Sequence, residues 1–79
     1  MDKAQVMEKQ TQILRDIFDS PALEVTEETS ANDVDGWDSI THMQVIATLE
    51  KEFKIRFALG ELQSLKNVGE MANLILKKI

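Results

Sequence analysis

The stretch Asp35-Gly36-Trp37-Asp38-Ser39-Ile40 divides this 79-residue chain into a long aperiodic segment before it and a strongly periodic one after it. Gly36 permits a tight turn or a backbone with positive φ. Asp38 suits the N-cap of a helix, where its carboxylate accepts from N–H groups that have no intrahelical partner. Ser39 then falls on the first turn, with its hydroxyl beside the end of a solvent-facing loop. A helix N-terminus offers free donors and partial positive charge, so a phosphate attached there is electrostatically tolerated. Asp38 opposes that effect in part, although its carboxylate can also hold a metal ion used by a modifying enzyme.

Downstream, Ile40, Met43, Ile46, Leu49 and Phe53 step by three or four residues and predict a helix over 39–53. Upstream, residues 20–38 have little helical periodicity, and long ordered loops in small domains are uncommon and often functional. Leu23, Val25 and Val34 are expected to pin this loop to the rest. Before it, Val6, Ile13, Leu14, Ile17 and Phe18 mark one face of a first helix, from near Asp2 to a point before Ser20-Pro21. Pro21 forbids a simple continuation, because it lacks an N–H and restricts the residue before it.

Beyond the second helix, Ile55, Phe57 and Leu59 alternate as in a strand, yet no second strand candidate exists to pair with them. A buried turn leading into a short helix near 61–65 is expected instead. Val68, Met71, Ala72, Ile75 and Ile79 define a last helix. Asn67 can cap it, with Glu70 placed to reach back as in a capping box, and Lys77 and Lys78 favour its C-terminal dipole end. The expected architecture is all-α: a small four-helix bundle of three main helices and one short one, with a long acidic loop between the first and second, in a single domain over 1–79. Met43, Ile46, Phe57, Leu62, Met71 and Ile75 are expected to line the space between the second helix and the C-terminal half.

Composition narrows the function classes. Hydrophobic residues make up 43% and charged residues 29%, ordinary for a folded chain. With no cysteine and one histidine, neither disulfides nor a His/Cys metal cluster can hold the fold, and packing must. A net charge of −5 argues against nucleic acid, whose phosphates need a Lys/Arg surface, and suits partners with basic docking patches. No stretch is long and apolar enough to insert in a membrane and the polar N-terminus lacks a signal-peptide core, so a cytoplasmic protein is expected. Charge is also uneven. Between Asp19 and Asp38 lie seven acids (Asp19, Glu24, Glu27, Glu28, Asp33, Asp35, Asp38) and no Lys or Arg. This run is either a solvated loop or a steering surface.

Gly36-x-Asp38-Ser39-Ile40 resembles the Gly-x-Asp-Ser-Leu motif of acyl and peptidyl carrier proteins, with Ile40 in place of the commoner Leu. The likeness covers almost the whole chain. The first helix, the long loop, Leu49-Glu50-Lys51-Glu52-Phe53, Ile55 and the Asn67-Val68-Gly69-Glu70 helix start all fall where that family has them. The resemblance implies that Ser39, flanked by Asp38 and Gly36, receives 4′-phosphopantetheine covalently from coenzyme A through a phosphopantetheinyl transferase. The arm's thiol then carries acyl groups, as thioesters, between acyl-loading and acyl-processing enzymes. It further implies a carrier and not an enzyme, and a monomer is expected.

The second helix departs from the family's pattern. Fatty-acid carriers typically have a strongly acidic second helix, whereas 38–54 holds three acids, two bases and His42. Partner enzymes are therefore expected to read a mixed surface of Trp37, Ile40, His42, Met43 and Gln44 rather than acids alone. A carrier in a fatty-acid, polyketide or other specialised pathway fits, as does an aminoacyl or peptidyl carrier. Two rivals stand beside these: an unmodified carrier-like interaction module, and a small hydrolase using Ser39 and His42. The hydrolase lacks an evident acid to orient His42 and a Gly-rich oxyanion loop. Trp37 has a plainer role open to it, packing the loop over the bundle, and Met43, Met71 and Phe57 fit a core by their spacing.

Overall fold

The first helix, α1 (Lys3–Ile17), begins where Asp2 and Gln5 satisfy each other's backbone. The Asp2 carboxylate accepts from the Gln5 N–H at 2.9 Å and the Gln5 amide oxygen accepts from the Asp2 N–H at 3.0 Å. The helix ends before Pro21, as expected, with Asp19 in the left-handed region (φ 50°) and the Ser20 N–H donating to the Arg15 carbonyl. The computed structural model describes residues 1–63 and 65–79, with residue 63 as backbone only.

The other helices follow as α2 (Ser39–Phe53), α3 (Leu59–Gln63) and α4 (Val68–Lys78), and no strand occurs among the described residues. The long loop before α2 carries a single 3₁₀ turn, Ala31–Asp33, closed by the Asp33 carboxylate accepting from the Ser30 N–H. Leu23 and Val25 pack against the core, as expected of residues that pin this loop, and Val34 is buried outside the main core cluster. The helix α2 stops on Lys54 in the left-handed region (φ 57°), where glycine is usual. The short helix starts two residues earlier than the 61–65 expected, because the Glu61 carboxylate accepts from the Ala58 N–H and fixes the first turn there; Ser64, within that range, lies outside the described residues. Asn67 caps α4 by accepting from the Glu70 N–H, but the Glu70 carboxylate reaches one residue further back than a capping box, to the Lys66 N–H.

The core is one cluster in which α1 packs against both α2 and α4. Val6, Leu14, Val45, Ile46, Leu49, Phe53, Ile55, Val68, Met71, Ala72 and Ile75 are buried in it. Two expectations fail here. Met43, expected in the core by its spacing, is 58% exposed, and Leu59, in the turn expected to be buried, is 73% exposed, whereas Ile40, expected on the surface that partners read, is 75% exposed. The α2 stripe that faces inward runs through Val45, Ile46, Leu49 and Phe53, and Ile40 sits on the opposite side. Ile79, beyond the end of α4, is half exposed. Of the residues expected between α2 and the C-terminal half, Ile46, Met71 and Ile75 are buried, and Phe57 and Leu62 pack partly buried against them.

Candidate functional site

At the loop–helix junction, Gly36 adopts φ +86°, a conformation that side chains disfavour, and so turns the chain into Asp38. The Asp38 carboxylate accepts from the Thr41 N–H at 2.9 Å and caps α2. The Thr41 hydroxyl shares its proton between the Gly36 carbonyl (2.9 Å) and the Asp38 carboxylate (3.0 Å), tying the turn to the helix it begins. Sequence reasoning found the cap but missed Thr41, three residues on, where a side chain can reach back to the cap.

Ser39 is the first residue of α2. Its side chain is exposed and no hydrogen bond engages it among the described residues. A group attached there meets the positive end of a 15-residue helix and displaces nothing. The junction therefore fits a phosphate ester on Ser39: free hydroxyl, rigid support, open solvent. Among the described residues there is no cluster of side chains able to hold a metal ion.

Hydrogen bonds hold the Asp38 carboxyl below the ordinary carboxylate range, the Thr41 N–H first and the Thr41 hydroxyl second. Its folded pKa thus lies below its unfolded one. The cap's contribution is complete above the ordinary value of 3.8 and is lost as pH falls through the lower folded value. The Thr41 amide proton resonance is expected to stay fixed down to that range and then move upfield with acid. In Asp38→Asn, which still caps, this titration should vanish.

Trp37 lies half-buried against the core and donates its indole N–H to His42 Nδ1 at 3.1 Å. Its ring also meets Phe18, centroid to centroid at 5.5 Å. It therefore fastens the loop end to both α1 and α2. His42 is half-buried beside it, with Nδ1 occupied as an acceptor and its proton left on Nε2. A Ser–His nucleophile pair needs the reverse, Nδ1–H donating to an acid and Nε2 free to take the serine proton. The Ser39–His42 pair is accordingly not built for hydrolysis. Ile40, Met43 and Gln44 are exposed along the next turns of α2.

The loop is held in place from below. The Val68 N–H donates to the Thr29 carbonyl and the Gly69 N–H to the Glu27 carbonyl, each at 2.9 Å, so the start of α4 supports the segment that leads to Ser39. Thr29 is buried, its hydroxyl accepting from the Thr26 N–H. Nothing local in the sequence marks this crossing. Inside the bundle, the space between Gln10, Ile13, Leu14, Val45, Leu49 and Met71 has no room for a water molecule. No helix is long and apolar enough to cross a membrane among the described residues.

Comparison with known proteins bears on this geometry. A family model described as a phosphopantetheine attachment site matches residues 11–75, from the middle of α1 into α4. The acyl carrier protein of Saccharopolyspora erythraea is 29% identical over 76 residues, which cover 96% of this chain and 80% of that protein. The solution NMR structure of holo acyl carrier protein from Geobacter metallireducens superposes with a TM-score of 0.87 at 53% identity, over 92% of this chain and 84% of that one.

Proposed function

The chain belongs to the phosphopantetheine-attachment family, and on that premise we propose that Ser39 is the residue that bears the arm. The protein is an acyl carrier and not an enzyme, and its covalent 4′-phosphopantetheine supplies the thiol on which acyl groups ride as thioesters. One observation carries the choice of Ser39. It combines exposure, an unengaged hydroxyl and a place on the first turn of a helix whose cap is fixed by Asp38 and Thr41. Gly36 and Asp38 serve the site by shaping that turn.

The partners are a phosphopantetheinyl transferase and the enzymes that load and process the acyl group. Ile40, Met43 and Gln44 form the part of α2 that those partners meet beside the arm, while Trp37 and His42 hold the surface in shape from behind. The neutral character of this face favours a specialised pathway, such as polyketide synthesis, over housekeeping fatty-acid synthesis. The chain works as a monomer in the cytoplasm.

Incubation with coenzyme A and a broad-specificity transferase is expected to add one phosphopantetheine mass to the intact protein. Ser39→Ala should abolish the addition while keeping the helical spectrum. Addition that persists in Ser39→Ala would remove the assignment.

A further inference from the structure

Lys51, Lys54 and Arg56 line one open groove, of about 520 Å³, together with Ala47, Glu50 and Ile55. Lys3, Lys9 and Lys78 are paired with Glu27, Glu52 and Glu61. By contrast, the three groove cations are exposed and have no ion-pair partner among the described residues. Glu50 also lines the groove, its carboxylate held against the Phe57 N–H where it closes the turn after α2, and offsets one of the three cations, which leaves the groove with a surplus of positive charge. On a chain of net charge −5, this is a local reversal of sign.

The groove is continuous with the outward face of α2. Ile40, Met43, Ala47 and Lys51 follow at steps of three and four residues, forming a row about 16 Å long on the helix surface. Asp35 and Asp38, both exposed, stand at its other end, beside Ser39. The face is thus polarised: acids at the N-terminal end, an apolar centre, cations at the C-terminal end.

We propose that this row and groove are a docking surface for a partner protein that sets an apolar side chain on Ile40 and Met43 and carboxylates against Lys51, Lys54 and Arg56. The inference deepens the carrier reading and rests on it only for the partner's purpose, which is to reach Ser39. Charge complementarity decides the partner's chemistry. A surface that covers the groove strips water from three cations, and it binds only if it replaces that water with acids. A partner with the basic patch suited to the acidic loop can use Asp35 and Asp38, but it must turn an acidic side toward the C-terminal end of α2. The two ends together fix the orientation in which it approaches Ser39. An anionic membrane fits less well, since an extended negative surface meets the acidic end and the net charge as well as the groove.

The test uses the unmodified chain and two synthetic amphipathic helical peptides. Both are short enough to cover the row from Ile40 to the groove without reaching Asp35 and Asp38, and carry a leucine row flanked by glutamates in one and by lysines in the other. NMR titration should move the methyl resonances of Ile40, Met43 and Ala47 and the Arg56 side-chain N–H. The glutamate peptide is expected to bind at least about tenfold more tightly than the lysine peptide at low salt, with the gap narrowing as salt rises. In Lys51→Glu/Arg56→Glu the preference should invert, whereas Lys66→Glu/Lys77→Glu, outside the groove, should leave it unchanged. Equal binding of the two peptides, or shifts confined to other surfaces, overturns the proposal. Binding to vesicles of anionic phospholipid without any preference between peptides overturns it too, in favour of a lipid surface. Because no arm is needed, the result is independent of whether Ser39→Ala abolishes attachment.

Discussion

Gly69→Ala is expected to lower the stability of this protein by about 1–3 kcal/mol, although alanine is the better helix former. A Cβ at residue 69 would lie 2.8 Å from the Glu27 Cβ, 2.9 Å from its carbonyl oxygen and 3.2 Å from its Cα. Two of these three atoms belong to the backbone and the third is fixed to it, so no side-chain rotation relieves the contact. The loop must lift from the start of α4, or α4 must shift. Either movement strains the Gly69-to-Glu27 and Val68-to-Thr29 hydrogen bonds, each worth about 0.5–1.5 kcal/mol. The propensity gain of about 1 kcal/mol for removing a helical glycine offsets only part of this. For a domain of this size, the loss corresponds to a fall in thermal midpoint on the order of 5–20 °C. Gly60→Ala is the control, because nothing lies within 4 Å of the added Cβ and the helix gains propensity. It should be neutral or slightly stabilising. Arm attachment should also slow in Gly69→Ala, since the displaced segment leads into the turn that presents Ser39. An unchanged midpoint in Gly69→Ala would mean that the loop does not rest on α4.

The contrast between these two glycines marks where sequence reading stops. Both sit near helix starts, and only the crossing loop, some forty residues earlier in the chain, tells them apart. Features set by a residue and its close neighbours were legible. Asp38 and Asn67 cap because a short acceptor before an apolar run satisfies orphan N–H groups, whatever else the chain does. The exposure of Ser39 was legible for the same reason, since it follows from a place just inside that cap. Periodicity misled at Met43, which it placed in the core. Steps of three fall short of a 3.6-residue turn by about 60° each, so Ile40 and Leu49, three steps apart, end on opposite sides of α2. The stop after Phe53 was legible as the end of the apolar steps, but the left-handed backbone of Lys54 was not, because it goes with the Glu50 carbonyl accepting from both the Lys54 and Ile55 N–H groups. Charge counts were equally blind to pairing. Glu52 crosses to Lys9 on α1 and Glu50 to a backbone N–H, and this leaves the neighbouring cations unpaired.

Gln10 escaped notice because it is polar, although Val6, Gln10 and Leu14 fall four residues apart on one line of α1. It is only 2% exposed, its side-chain oxygen has no hydrogen-bond partner, and its amide nitrogen reaches the Val68 carbonyl at a weak 3.5 Å. A buried acceptor left unsatisfied costs about 1–3 kcal/mol, and the Val68 bond is too long to recover much of that. The space beside it is lined by Ile13, Leu14, Val45, Leu49 and Met71, apolar throughout and too tight for a bridging water. Gln10→Met, unbranched and of similar length, is therefore expected to stabilise the fold by about 1–2 kcal/mol and to raise the thermal midpoint on the order of 5–15 °C. Gln10→Leu tests the same point with a branched shape and should gain less if packing resists it. A fall in the midpoint of both variants would show that the amide oxygen has a partner in solution, and hence that the bundle opens enough to admit water. That outcome bears on cargo, because an interior that admits water beside Met71 can also admit the apolar tail of an acyl group, at about 0.8 kcal/mol per buried CH₂. Thermal midpoints of the bare-arm form and of forms loaded with acetyl and with a medium-length chain, compared in wild type and Gln10→Met, separate the two cases. If the core stays closed, all three midpoints in each protein coincide and the cargo travels outside the bundle. If it opens, only the longer chain raises the midpoint, and it does so less in the better-packed variant.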